Sequence, residues 1–459
     1  MNTPAPRPGP FLEHLRAEDT PFTLRRSGAP VWADEAAHRA FYQGDPELYA
    51  LAALVTGTPE SQRLRILYQV LERSRTDLAA GERATLGRVT RLLLAVLPAD
   101  QVLTVFLALR RARANHKHTA HAILGYILNH PQMEDLVRRR RPTVMDCLEH
   151  ALGKNVARGA IRRLIETPDD RAYVQRTMLR FAHDPERGQA ILPALYQRPA
   201  TTMLARGDAA GGYPQTHAPY RDYLDRPLER PKTVTPTNRG DIAATLVHLY
   251  RGGPSAELEA ALEPYVVAAA ARLPRFPARI GLVLDASAST RSYGEREFCC
   301  LAQSVALARI LARNTAHLTI YPVGGRGALP PPEGPTDLAA PVLAALADDP
   351  DVVAIVSDGY ENFYQGDLAR VVATLPQAGV RIPVVFCHSK FTPLDDVSLR
   401  RPAPTLPELA FWHENDFEEV LIRLFTLARG PQGAASMREF LRNRLDQLEK
   451  EVQPWTITA

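Results

Sequence analysis

Asp285, Ser287 and Ser289 stand at alternate positions directly after the apolar run Ile280-Gly281-Leu282-Val283-Leu284. One carboxylate and two hydroxyls so spaced supply hard oxygen donors, which divalent cations such as Mg2+ prefer. They fall where a buried strand would end, and open α/β sheets bind ligands outside the carboxyl ends of their strands. Two later segments can complete an oxygen shell: Gly334-Pro335-Thr336-Asp337-Leu338, and Val356-Ser357-Asp358-Gly359 after a second apolar run. The expected chemistry is capture of a hard divalent cation by these pooled oxygens.

Positioning such loops requires a sheet. Apolar runs at 280–284, 318–323, 352–356, 382–387 and 409–412 read as strands, and helical patterns at 295–313, 336–346, 367–375 and 417–427 separate them. Strands alternating with crossover helices predict a doubly wound, mainly parallel sheet covered on both faces, an α/β fold. An amphipathic helix over 436–452, with Met437, Phe440, Leu441, Leu445 and Leu448, is expected to dock back on the body.

The front of the chain is different. From 34 to 197 the pattern is helical nearly throughout, with Pro, Gly or Asp breaking it at intervals of roughly 15–20 residues. That spacing suggests stacked antiparallel pairs, a HEAT-like helical-repeat region, with a compact all-α bundle as the alternative. The expected organisation is a flexible N-terminus over 1–33 and the helical-repeat domain over 34–197. An extended connection rich in Pro, Thr, Gly, Tyr and Arg follows over 198–241, then helices joining the two domains over 242–277. The α/β domain covers 278–430 and a C-terminal helix 431–459.

Asp285-x-Ser287-x-Ser289, Thr336 and Asp358 together resemble the three-part metal-ion-dependent adhesion site of von Willebrand factor A domains. The resemblance implies that Ser287, Ser289 and Thr336 offer hydroxyl oxygens to Mg2+, or Mn2+ in its place, with one coordination position open to an anionic oxygen. Asp285 and Asp358 would balance its charge directly or through water. A basic helical region leading through Ala261-Leu262-Glu263-Pro264-Tyr265 into such a domain is similar to the Ro ribonucleoprotein family with its TROVE module. So are Asp285-Ala286-Ser287-Ala288-Ser289 and Ser357-Asp358-Gly359-Tyr360-Glu361-Asn362-Phe363. That similarity implies a ring of helical repeats, a basic hole taking single-stranded RNA ends, and an outer surface for small structured noncoding RNAs.

Charge bears on the partner. The chain carries a net +4, but residues 276 onward hold 17 basic and 22 acidic side chains, leaving 38 and 29 before them. A basic front favours a polyanion. The best candidates for phosphate contact are Arg110, Arg111, Arg113, His116, Lys117 and His118. A second group is Arg138, Arg139, Arg140 and Arg141, and a third Lys154, Arg158, Arg162 and Arg163. Tyr213 and Tyr220 could stack bases. Each cluster could equally be a solvated helix end, since Arg138 to Arg141 precede Pro142 and cations suit helix C-termini.

Other classes fit less well. No P-loop, Ser-His-Asp elbow, paired catalytic carboxylates or redox motif is present, so a non-catalytic protein is expected. His116, His118 and His121 lack the spacing and companions of a zinc site. Cys147, Cys299, Cys300 and Cys387 show no knuckle spacing, and no apolar run spans a bilayer, which points to a cytoplasmic protein. The remaining alternative is a protein-interaction adaptor, in which the metal captures an acidic residue of a partner.

Overall fold

The computed structural model describes residues 8–167, 171–196, 224, 241–252, 255–392, 394–428 and 432–452. The chain divides into two compact units, one of residues 1–227 with 441–459 and the other of residues 228–440.

The first unit is helical. Its elements are α1 (Pro8–Ala17), a short antiparallel pair β1 (Thr23–Leu24) and β2 (Pro30–Val31), α2 (Glu35–Gly44) and α3 (Pro46–Leu51). Then follow α4 (Glu60–Glu72), α5 (Ala80–Val96), α6 (Ala99–Ala112), α7 (Lys117–Asn129), α8 (Met133–Leu152), α9 (Lys154–Glu166), α10 (Arg171–Thr177) and α11 (Pro185–Ala194). Local chemistry sets the boundaries. Asp45 accepts from Leu48 N at 3.0 Å and Pro46 opens α3 with its pre-set φ. Helix α8 kinks at Arg140, whose φ is −126°, two residues before Pro142. Helix α4 packs on α5 and α6, α6 on α8, and α8 on α7 and α9, so next-but-one helices meet.

The expectation of a flexible start is corrected for residues 8–33. Phe11, Leu12 and Leu15 on α1 are buried, and Phe11 stacks on Phe41 with ring centroids 4.3 Å apart. Burying such apolar side chains contributes roughly 1.5–3 kcal/mol each, enough to fix one short helix. The connection expected over 198–241, with Tyr213 and Tyr220, lies outside the described residues except for Leu224 and Asp241.

The second unit is built on a five-stranded sheet. Helices α12 (Ile242–Tyr250) and α13 (Ser255–Ala270) precede β3 (Phe276–Ala286), α14 (Cys299–Asn314), β4 (Thr315–Gly324) and α15 (Ala339–Ala347). Next come β5 (Val352–Ser357), α16 (Asp367–Thr374), β6 (Val384–Ser389), β7 (Glu408–Phe411), α17 (Phe417–Leu427) and α18 (Gln432–Val452). All pairings are parallel, in the order β4-β3-β5-β6-β7. Strand alternation sorts the core. Ile280, Leu282 and Leu284 face α12, α13, α14 and α17, whereas Val283 faces α15 and α16. Of the helices expected over 242–277, Ile242, Leu246, Leu262 and Val266 are part of the sheet's own core. From Leu441 onward α18 belongs to the first unit, and there Arg442 pairs with buried Glu47 at 2.6 Å.

Candidate metal centre and candidate RNA surface

Three loops at the carboxyl ends of β3, β4 and β5 converge through backbone contacts. Residues 324–334 fold back on the end of β3, where Gly325 N and Glu333 N both donate to Ala286 O at 3.1 and 3.0 Å. Gly324 allows this at φ +78°, since a Cβ there would stand 2.2 Å from Glu333 O. Ala288 N then donates to Gly334 O at 3.1 Å and Phe363 N to Thr336 O at 3.2 Å, tying all three loops together.

The side chains meet as a result. Thr336 Oγ1 lies 2.7 Å from Ser287 Oγ and 3.5 Å from Ser289 Oγ, and the two serine hydroxyls are 3.0 Å apart. Magnesium with bonds of about 2.0–2.1 Å has octahedral edges near 2.9 Å, so this triangle of hydroxyls approximates one face. Asp285, Ser287, Thr336 and Asp358 are wholly buried and Ser289 is half-buried.

The two carboxylates differ in what is left to them. Asp285 accepts from Ser287 N at 2.9 Å and from Ser357 Oγ at 2.6 Å, so both its oxygens are engaged by the protein. Asp358 Oδ1 accepts from Tyr360 N at 3.1 Å, but Oδ2 is buried with no hydrogen-bond partner. A buried oxygen of that kind is unfavourable unless a proton or a cation meets it. Burial pushes the Asp358 carboxyl up to about 7, with the Asp285 charge adding to the rise; Tyr360 and Ser289 oppose it. Burial also raises Asp285, against its bonds to Ser357 and Ser287. Two buried carboxylates beside three converging hydroxyls fit a hard divalent cation, with Asp358 Oδ2, Ser287, Ser289 and Thr336 as donors.

Nothing local in the sequence singles out the residues that brace Asp358. His388 Nε2 and Arg400 Nη1 both donate to its backbone carbonyl, each at 2.9 Å, and His388 Nδ1 lies 3.0 Å from Glu408 Oε1. Gly359, at φ +88°, leaves the space: a Cβ there would stand 2.2 Å from Arg400 O. A groove of about 1040 Å3 runs beside Ser289, with Arg291, Tyr293, Tyr360, Phe391, Leu399 and Arg400 among its lining residues.

In the first unit the candidate RNA residues separate into paired and unpaired sets. Arg110 pairs with Asp146 at 2.5 Å, Arg138 with Asp135 at 3.1 Å and Arg158 with Glu149 at 2.7 Å. Arg140 and Arg139 lie 3.3 and 4.0 Å from Asp100. Arg111, Arg113, Lys117, Lys154 and Arg162 are exposed, and among the described residues none of them has an ion pair. His150 Nε2 at the end of α8 lies 2.9 Å from Ala114 O, so the α8–α9 junction at Lys154 adjoins the turn carrying Arg113 and Lys117. His116 stacks on His118 and bonds Glu72 O at 3.1 Å; burial first and then Arg75 lower His118 to about 3. The His118 ring is thereby held neutral near pH 7 and packed against the protein. The four cysteines are buried and free, and no helix among the described residues is long and apolar enough to cross a membrane.

No family model matches the chain, and no curated protein matches it. Among solved structures it is similar to the Ro (RSR) protein of Deinococcus radiodurans, at 14% identity and a TM-score of 0.35. The match covers 95% of this chain and 100% of that one.

Proposed function

We propose that this protein is a non-catalytic, cytoplasmic RNA-binding protein of the Ro type. Its helical unit would hold noncoding RNA, and its α/β unit would hold Mg2+ through Ser287, Ser289, Thr336 and Asp358, braced by Asp285. One observation carries the RNA reading. Helices α7 and α9 open with Lys117 and Lys154 and carry no acidic residue in their first turns. Cations at the positive end of a helix dipole oppose folding, so the fold itself does not account for them. Phosphates do, because free N–H groups at helix N-termini and adjacent cations attract the same anion. Arg111 and Arg113 stand at the α6 end of the same turn, and Arg162 extends the charge along α9.

The test is RNA affinity at rising salt, with and without EDTA, for the natural chain and for Lys117→Glu with Lys154→Glu. Binding should fall steeply with salt, survive EDTA, and lose roughly 0.9 of logarithmic salt slope per phosphate contact removed. Affinity indifferent to the two charge reversals would refute the reading.

A second reading is favoured by the surface around the cation site. Tyr293 is 87% and Leu399 94% exposed there, with Tyr360, Phe363 and Tyr364 nearby in sequence on the Asp358 loop. Exposed apolar groups so concentrated are typical of protein interfaces. The cation would supply an electrophilic position for a partner's carboxylate. An EDTA-sensitive protein complex formed without RNA would favour this adaptor reading.

A further inference from the structure

Side chains from α1, α2 with its N-cap, and α4, mostly buried, gather at a place outside the candidate RNA surface and the three converging loops. His14 Nε2 is 2.9 Å and His38 Nε2 3.4 Å from the same oxygen of Asp34, and the three donor atoms lie within 4.8 Å of one another. Gln62 brings a fourth donor, its Oε1 standing 2.8 Å from His38 Nε2. A tetrahedral zinc centre with bonds of about 2.0–2.1 Å separates its ligand atoms by about 3.3 Å. The two histidine–Asp34 separations, 2.9 and 3.4 Å, and the 2.8 Å between Gln62 Oε1 and His38 Nε2 bracket that spacing.

Their other atoms are held from behind. Tyr49 OH, fully buried, lies 2.7 Å from His38 Nδ1, and Arg65 Nε lies 3.2 Å from Asp34 Oδ1. Metal-bound histidines and carboxylates are oriented in this way, through the atoms that do not touch the ion. Asp34 also occupies the N-cap position of α2 yet makes no capping bond there; its carboxylate turns to the histidines instead. Burial alone would raise that carboxyl, but hydrogen bonds from His38, Gln62 and His14 hold it well below the usual range, so it is ionised. Arg65 brings a positive charge, which disfavours ions bound by charge alone. Two imidazole nitrogens favour zinc over magnesium or calcium.

We propose that His14, Asp34, His38 and Gln62 form a structural zinc site that fastens α1 to α2 and α4. In the metal-free chain Gln62 Oε1 can accept from a protonated His38 Nε2. Zinc takes that nitrogen's lone pair, which moves the ring proton to Nδ1, facing Tyr49. The site is independent of the RNA and Mg2+ readings.

The test uses the full chain, stripped with chelator and re-equilibrated with equimolar Zn2+ in excess Mg2+. Zinc retained after gel filtration is counted by plasma mass spectrometry, and the thermal midpoint is followed. The natural chain should retain about one zinc per molecule and melt higher with it. His14→Ala should weaken retention at least about tenfold and abolish the rise in midpoint; its side chain is 30% exposed, so the core stays filled. Tyr49→Phe, which removes only the hydroxyl behind His38, should weaken retention in a folded chain. Asp285→Ala should leave zinc retention unchanged. Absence of retained zinc in the natural chain, equal retention in His14→Ala, or loss in Asp285→Ala would overturn the assignment.

Discussion

Replacing Asp358 with asparagine should make the metal-free protein more stable at pH 8 while removing its response to Mg2+. The carboxyl is raised from 3.8 to about 7 by burial and by the neighbouring Asp285. The displacement is roughly three pH units, which at about 1.4 kcal/mol each amounts to something on the order of 4 kcal/mol shared by the pair. The sign follows from where the proton sits. The folded chain keeps it up to about pH 7, whereas the unfolded chain releases it near 3.8. Stability in EDTA should therefore decline as pH climbs between those values and stay low above them. On the proposed reading Mg2+ would replace the proton at Oδ2, so its stabilising effect should grow over the same interval. Asparagine keeps an oxygen for Tyr360 N and carries no charge, so the slope should shrink to the part that buried Asp285 still contributes. Urea midpoints at pH 5, 6, 7 and 8, in EDTA and in Mg2+, measure all of this. A flat profile for the natural chain in EDTA, or an Asp358→Asn protein weaker than it at pH 8, would refute the reasoning.

Gly359→Ala should abolish Mg2+ stabilisation and lower stability by about 1–3 kcal/mol in denaturant titrations, because the new Cβ meets Arg400 O at a positive φ. Arg442→Ala should cost about 2–4 kcal/mol, since it removes a bidentate partner from buried Glu47; a loss under about half a kcal/mol would contradict that. The cysteines should resist thiol reagents until the chain unfolds, because all four are buried and burial pushes Cys387 up to about 12. A thiol titrating rapidly in the native state would disprove it.

The sheet was legible because its strands are short, largely apolar runs, and the observed strand ends differ from the expected ones by four residues at most. Helix starts were less so. The helix expected from 295 begins at Cys299, since Phe298 has φ +67° and residues 294–296 form a separate 3-10 turn. The helix expected from 336 begins at Ala339, because Asp337 Oδ1 accepts from Ala339 N and Ala340 N, leaving Thr336 in the loop. The Asp285, Ser287, Ser289, Thr336 and Asp358 set could be collected from its type and order alone. Its supports could not, as His388 on β6, Glu408 on β7 and Arg400 on the loop between them come from far along the chain. A flexible start was expected over 1–33, although Phe11, Leu12 and Leu15 already had helical spacing. Asp34 and His38 are four residues apart and so share a helix face, but only the packing of α1 on α2 brings His14 to them.

The carbonyl of Asp358 is gripped by Arg400, and Arg400 sits one residue beyond Leu399 on a loop whose Asp395 also pairs with it. Any body that seizes this loop must therefore tug on the carboxylate floor of the seat proposed for the ion. Thermodynamic reciprocity then requires the converse: filling or emptying that seat changes how tightly the loop can be seized, by an equal factor.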